Sequence, residues 1–317
     1  MSTGKIAVVA VGGNALIRSP KEVTLDAQYQ AVKETARHVV DLIEAGWRVV
    51  LTHGNGPQVG FILRRSEIAS ANVPTVPLEY AVGDTQGAIG FMFQNALSNE
   101  LERRRIGNTR VVALVTQTLI APDDAAFSSP DKPIGAHMDQ DVAERLAREQ
   151  GWTIAEDSGR GWRRVVASPK PIEIIETPVI QSLLANDTLV IACGGGGIPV
   201  VRQEDGTLTA AQAVIDKDRA SALLAIELKA DMLLIPTGVE QVAIHFGTPQ
   251  QRWLDELTVD EAKALLNSGQ FGAGSMSPKV EAMMTYLNGQ PNGVGLITSP
   301  EAMGRAVTGS GGTRFVR

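Results

Sequence analysis

The run Ile6-Ala7-Val8-Val9-Ala10-Val11, stopped by Gly12-Gly13-Asn14, is short, continuously apolar and rich in Val. It reads as a strand buried on both faces. Downstream, Leu25, Tyr29, Val32, Ala36, Val39, Val40 and Ile43 recur at steps of three and four, which places them on one face of a helix, and Gly46 is a natural C-terminal stop. Trp47 to Thr52 is a second apolar strand. A strand, helix, strand order requires a crossover, so the two strands should lie parallel with the helix against the sheet.

The unit then repeats. Arg110 to Thr116, Thr188 to Cys193, Asp231 to Pro236 and Val294 to Thr298 are further buried-strand candidates, interleaved with helical stretches near 86–105, 139–150, 217–229, 258–268 and 278–288. That alternation predicts an α/β fold of three layers around a mostly parallel sheet, in a chain long enough for one large domain or two. The interval from Ala121 to Pro171 breaks the rhythm with five prolines and the Gly/Arg/Trp-rich stretch Ser158 to Arg164. It reads as a lid-like excursion or an ordinary surface insertion.

The 317 residues are 44% hydrophobic with a formal net charge of −6, so no overall positive field favours nucleic acid or an anionic membrane. A small-molecule role follows. The single cysteine, Cys193, rules out an internal disulfide and a Cys-rich zinc site and fits a reducing, cytoplasmic setting. No targeting segment or membrane span is apparent, the first apolar run being too short for either.

Glycine is the unusual count, 32 residues in all, about a tenth of the chain against a typical share of roughly 7%. Glycine-rich turns end three of the predicted strands: Gly12-Gly13-Asn14, Gly54-Asn55-Gly56-Pro57 and Gly194 to Gly197. Ligands of open parallel sheets bind outside the carboxyl ends of the strands, and bare amides there can approach an anion closely. Each turn could equally be a tight connection; three together favour a phosphate site. The P-loop signature G-x-x-x-x-G-K-[ST] is absent, and Val59 stands where a G-x-G-x-x-G fingerprint beginning at Gly54 needs its third glycine.

Phosphoryl transfer asks chiefly for cations placed around the migrating group. In Val214-Ile215-Asp216-Lys217-Asp218 an aspartate can cap the following helix while Lys217 sits in its first turn, where a cation opposes the helix dipole unless an anion is near. Lys279 shows the same oddity, after Ser277 as a plausible N-cap and Pro278 at the first helical position. Lys132 lies between two prolines that stiffen its loop and could deliver it from the excursion. Asp218 could hold lysines together or simply cap its own helix. His53 could touch a ligand or be satisfied by backbone, and Cys193 reads as a buried strand residue. No HExxH, G-x-S-x-G or His/Cys ligand cluster occurs.

Val11 to Leu16 (VGGNAL), Thr52 to Gly60 (THGNGPQVG), Lys132 to Gly135 (KPIG), Asp157 to Arg164 (DSGRGWRR), Gly194 to Val200 (GGGGIPV), Val214 to Asp218 (VIDKD) and Gly274 to Val280 (GSMSPKV) together resemble carbamate kinase from end to end. The resemblance implies a single domain over residues 1–317 with the amino-acid-kinase fold, a three-layer αβα sandwich with a protruding lid subdomain at 121–171. It also implies a homodimer and reversible transfer between ATP and carbamate with Mg2+, run towards ATP from carbamoyl phosphate and ADP. By the same resemblance Gly12, Gly13, Asn14, Gly54 and Asn55 hold the phosphoryl group in the N-terminal part, Lys132, Lys217 and Lys279 neutralise it, and Asp218 organises Lys217 and Lys279. The nucleotide would lie over the C-terminal half, near Thr237, Gly238, Val239 and Met276, with no protein ligand assigned to the metal.

The chain also departs from the resembled pattern. Pro236-Thr237-Gly238-Val239 replaces Leu-Thr-Asp-Val, Gln241-Val242-Ala243 lacks a tyrosine, and Ala136-His137-Met138 stands where Pro-Phe-Tyr is usual. These departures leave two alternatives: a kinase of the same fold acting on another small acid, or a catalytically silent nucleotide-binding or ligand-binding paralogue.

Overall fold

The computed structural model describes residues 4–13, 16, 23–157, 159–272 and 275–317. Asn14, expected in the phosphoryl site, lies outside them. The eight-stranded central sheet is built from β1 (Ile6–Val11), β2 (Arg48–His53), β3 (Arg110–Ala113), β9 (Thr188–Ile191), β12 (Met232–Pro236), β15 (Glu256–Thr258), β16 (Val294–Thr298) and β17 (Thr313–Val316). Its spatial order is β15-β17-β16-β12-β1-β2-β9-β3. Every neighbouring pair is parallel except β16 with β17. Strand 1 thus occupies the centre, flanked by β2 in the register Val11↔His53 and by β12.

Strand alternation divides the core into two layers. Val8, Ala10, Val50 and Leu233 face a cluster covered by α5 (Thr177–Ala185), α6 (Lys217–Glu227) and α8 (Ser277–Gly289). Ala7, Val9, Leu51 and Leu234 face the opposite cluster, covered by α1 (Leu25–Glu44), α3 (Leu78–Arg103) and α9 (Met303–Val307). These are the three layers the sequence predicts. Thr24 caps α1 by accepting from Ala27 N, and Gly46 at φ +87 carries the chain out of it.

Two helices differ from expectation. Helix α2 (Gly56–Ile68) begins inside what reads as a glycine turn, with Pro57 in its first turn, where a missing N–H costs nothing. Helix α3 starts eight residues before its predicted start at residue 86, because Pro77 stands outside it as N-cap rather than inside as a breaker.

The excursion leaves after β4 (Gln117–Ile120) and returns at β8 (Pro171–Ile174), and these two strands pair antiparallel. Between them β5 (Lys132–Met138), β6 (Thr153–Glu156) and β7 (Trp162–Val166) form a three-stranded antiparallel sheet in the order β5-β7-β6, accompanied by α4 (Gln140–Gln150). Ile134 and Val166 pack with Val59, Leu63 and Val82 of α2 and α3. At the contact of α2 with β5 the backbones touch, and a methyl built on Gly60 would overlap Gly135 Cα.

Candidate active site

Gly12 and Gly13 follow β1, and Gly54 and Asn55 follow β2, so the adjacent parallel strands set these turns side by side at the carboxyl edge. Gly54 N donates to Val11 O at 3.1 Å, tying one turn to the other. Gly12 also approaches β12, since a methyl there would stand 3.8 Å from Pro236 O.

Lys217 enters this edge from α6. Its Nζ donates to Ala10 O at 2.9 Å and to Asp218 Oδ1 at 2.5 Å, and its stem passes 3.8 Å from the position of a methyl on Gly54. Lys279, from the first turn of α8, donates to Asp218 Oδ2 at 3.0 Å. Asp218 is therefore the bridge between two lysines. The capping role falls to Asp216, whose Oδ1 accepts from Asp218 N and Arg219 N at 2.8 and 3.2 Å. The other oxygen of Asp216 accepts from Lys132 Nζ, which β5 of the excursion delivers. Three ammonium groups separated by up to 147 residues of chain thus converge on two carboxylates at the start of one helix. Lys217 at a helix N-terminus is offset by the chain's own Asp216 and Asp218.

Burial makes these charges strong. Burial lowers the Lys217 ammonium below its ordinary range, against the raising influence of Asp218. Burial alone would raise the Asp218 carboxyl, but the charges of Lys217 and Lys279 outweigh it and hold it down. Asp216 is likewise held well below the carboxylate range, burial being overcome by Lys132. Lys217 is 9% exposed and Asp218 4%, so their charges are little screened by solvent.

The glycine run after β9 does a different job from the one its composition suggests. All four residues, Gly194 to Gly197, are buried. Methyls on them would overlap His53, Asn55, Ile215 O and Thr118 Oγ1 in turn. The run is a packing seat under the second turn. Asn55 rests on Gly195 and donates from Nδ2 to Thr85 Oγ1 at 2.9 Å, which fixes its side chain. His53 is also buried, its Nδ1 against Gly54 O at 3.1 Å and its ring stacked on Phe93, and burial lowers its pKa to about 4. It is the backbone-satisfied histidine of the simpler reading. Burial pushes the Cys193 thiol up, leaving it inert.

Thr237, Gly238 and Val239 follow β12, and Thr237 N is taken by Thr298 O at 2.7 Å. Met276 precedes α8, and its carbonyl accepts from Lys279 N at 3.0 Å. The strand order sets the Thr237 turn beside Gly12, and Lys279 links Met276 to the lysine cluster. Ser277 is not the N-cap. It is the first residue of α8, with Oγ donating to Phe271 O at 3.0 Å, and Met276 takes the cap position without a side-chain hydrogen bond.

Two roles escape the sequence. Asp216 as counter-ion to Lys132 joins residues 84 apart, and Thr85 as the anchor of Asn55 lies inside α3, 30 residues from its partner. Asp216 carries only the signal of a plausible helix cap, and Thr85 carries none.

Among the described residues no three His, Cys, Asp or Glu side chains gather as a metal site, and both aspartates already hold lysines. These donors do not fit an ion caged by protein alone. The geometry is suited to neutralising a transferring anion between bare amides and ammonium groups.

Residues 5–293 match the amino acid kinase family. The carbamate kinase-like protein YahI of Escherichia coli (strain K12) is 44% identical over 316 residues, 99% of each chain. The carbamate kinase of Staphylococcus haemolyticus is 48% identical over 308 residues, covering 96% of this chain and 97% of its own. Among solved structures, carbamate kinase from Giardia lamblia bound to AMP-PNP superposes with a TM-score of 0.90 at 40% identity, over 100% of this chain and 99% of that one. The chain belongs to the amino acid kinase family, among its carbamate kinases.

Proposed function

We propose that this chain is an active carbamate kinase, catalysing carbamoyl phosphate + ADP ⇌ carbamate + ATP and run towards ATP. The observation that carries the reading is the convergence of Lys132, Lys217 and Lys279 on Asp216 and Asp218 beside the Gly12-Gly13 and Gly54-Asn55 turns.

In the reaction a phosphoryl group leaves the carbamoyl oxygen for the terminal oxygen of ADP. The P–O bond to carbamate breaks as the P–O bond to ADP forms, and no proton need be relayed by the protein. Lys217 and Lys279 neutralise charge on the migrating group, and Asp218 holds both ammonium groups in place before substrate arrives. Lys132 exchanges Asp216 for substrate as the excursion closes as a lid. The amides around Gly12, Gly13, Gly54 and Asn55, together with Asn14, receive the phosphoryl oxygens. ADP lies along Thr237, Gly238, Val239 and Met276; that a nucleotide is bound at all is supported by the Giardia lamblia relative with bound AMP-PNP. Mg2+ comes with the nucleotide phosphates, because the protein's own carboxylates are engaged.

The departure at Ala136-His137-Met138 lies at the far end of β5 from Lys132. His137 Nε2 pairs with Asp157 Oδ2 at 2.9 Å inside the excursion, so this side chain is engaged in the excursion's own packing, which favours carbamate over an altered acceptor. A homodimer is supported by α3, where Tyr80, Asp84, Gly87 and Phe91 share one exposed face, with Tyr80 and Phe91 each about two-thirds accessible. No described helix is long and apolar enough to cross a membrane, and a cytoplasmic location suits the lone thiol. Purified protein given carbamoyl phosphate, ADP and Mg2+ should produce ATP in a coupled assay. Nucleotide binding by calorimetry without ATP formation would instead identify a silent paralogue.

A further inference from the structure

A cavity of about 250 Å3 lies between α2, α4 and the sheet of the excursion, and none of Gly12, Gly13, Gly54, Asn55 or the three site lysines lines it. Its walls are largely apolar, Phe61 and Leu63 on one side facing Met138, Leu146 and Trp152 on the other. The charges at its rim are all of one sign. Arg64, Arg145 and Arg164 line it, and no Asp or Glu does.

Two of those arginines are accounted for by Glu67, which lies outside the lining and pairs with Arg164 at 3.0 Å and Arg64 at 3.5 Å. Arg164 also stacks over the Trp152 ring at 5.1 Å, and the indole N–H donates to Glu67 at 3.0 Å, so this wall is rigid and fully engaged. Arg145, on α4, makes no ion pair among the described residues. An apolar chamber with a free guanidinium at its mouth selects an apolar body carrying one negative group.

Size narrows the class. A dry apolar cavity of about 150 Å3 accommodates benzene, so the present volume admits one ring with a short anionic substituent. We propose that this cavity is a binding site for small aromatic monocarboxylates, the carboxylate pairing with Arg145 and the ring lying between Phe61 and Trp152. The site is distinct from the phosphoryl site and its existence does not depend on the enzymatic reading.

Isothermal titration of the full-length chain with benzoate tests this, with acetate and benzyl alcohol as probes lacking the ring and the charge. Benzoate is expected to bind with a Kd of about 1 mM or tighter, and each control at least about fivefold more weakly. Arg145→Gln should weaken benzoate by a similar factor. Val142→Phe, which adds a ring to the cavity wall from a partly exposed position on α4, should abolish binding. Thermal melts establish that both variants remain folded. No heat with benzoate up to about 10 mM, benzyl alcohol binding as well as benzoate, or unchanged affinity in folded Val142→Phe would each overturn the proposal; the last would place benzoate elsewhere on the molecule.

Discussion

Replacing Asp218 by Asn keeps the shape of the side chain and removes one charge from between two cations. Lys217 and Lys279 lie 2.5 and 3.0 Å from its oxygens, and with an effective dielectric of about 20 those attractions are about 7 and about 6 kcal/mol before desolvation is counted. Desolvation offsets most of that, at several kcal/mol for each buried ion. Removing one member leaves the desolvation of the others uncompensated, and the net loss expected is about 3–5 kcal/mol. Urea denaturation at neutral pH should report it as a lower midpoint with an unchanged slope. The rate of ATP formation should fall by about 100-fold or more, because both ammonium groups lose the anchor that aims them. Adding Lys279→Met to Asp218→Asn should recover part of the stability by relieving repulsion, while the rate stays low. An Asp218→Asn protein with the wild-type midpoint and rate would refute the bridging role.

Other perturbations separate the parts of the site. Lys132→Ala takes the main counter-ion from the largely buried Asp216 carboxylate, so stability should fall by about 1–3 kcal/mol while the rate of ATP formation drops about 100-fold or more; an unaltered rate would remove Lys132 from the chemistry. The Lys217 ammonium of the free protein has its pKa lowered by burial, so kcat/KM, which reports the free enzyme, should decline on the alkaline side at a pH below 10.5, and a kcat/KM profile flat to that pH would contradict its role as a cation. His53 has a folded pKa of about 4 against 6.5 for the free group. The unfolded chain therefore takes the proton more readily, and stability should rise by about 3 kcal/mol as pH increases from 4 to 6.5; denaturation midpoints of His53→Gln should lack that rise. Gly195→Ala drives a methyl into Asn55 at φ +66 and should cost about 2–4 kcal/mol. Gly206→Ala, at φ +84 in open space, should cost only about 1 kcal/mol, and equal melting losses would show that backbone strain alone matters.

The parts of the fold legible in sequence are those with a strong local signal. Ile6–Val11 is apolar at every position and ends in two glycines, and it is indeed buried between β2 and β12. Helix α2 escapes because only Val59, Leu63 and Ser66 of its thirteen residues are buried, while Gly56 and Pro57 imitate a turn. The lysines stand out because each breaks a local rule, a cation at a helix start or between prolines. Their arrangement does not, since Asp216 and Asp218 are both plausible caps and only the path of the excursion brings Lys132 to one of them. The Gly194–Gly197 run shows the limit of compositional reading: glycine admits an approaching phosphate and an approaching side chain equally well, and here Asn55 and Thr118 are what approach.

The backbone contact between Gly60 and Gly135 sets a mechanical tolerance on the whole enzyme. With no clearance for even a methyl group at position 60, α2 and β5 meet backbone to backbone. Lys132 sits three residues along β5 from that contact, so the seat of Gly135 on α2 helps fix where the strand presents its ammonium group. A side chain at position 60 would displace that seat and misplace a cation that it never touches.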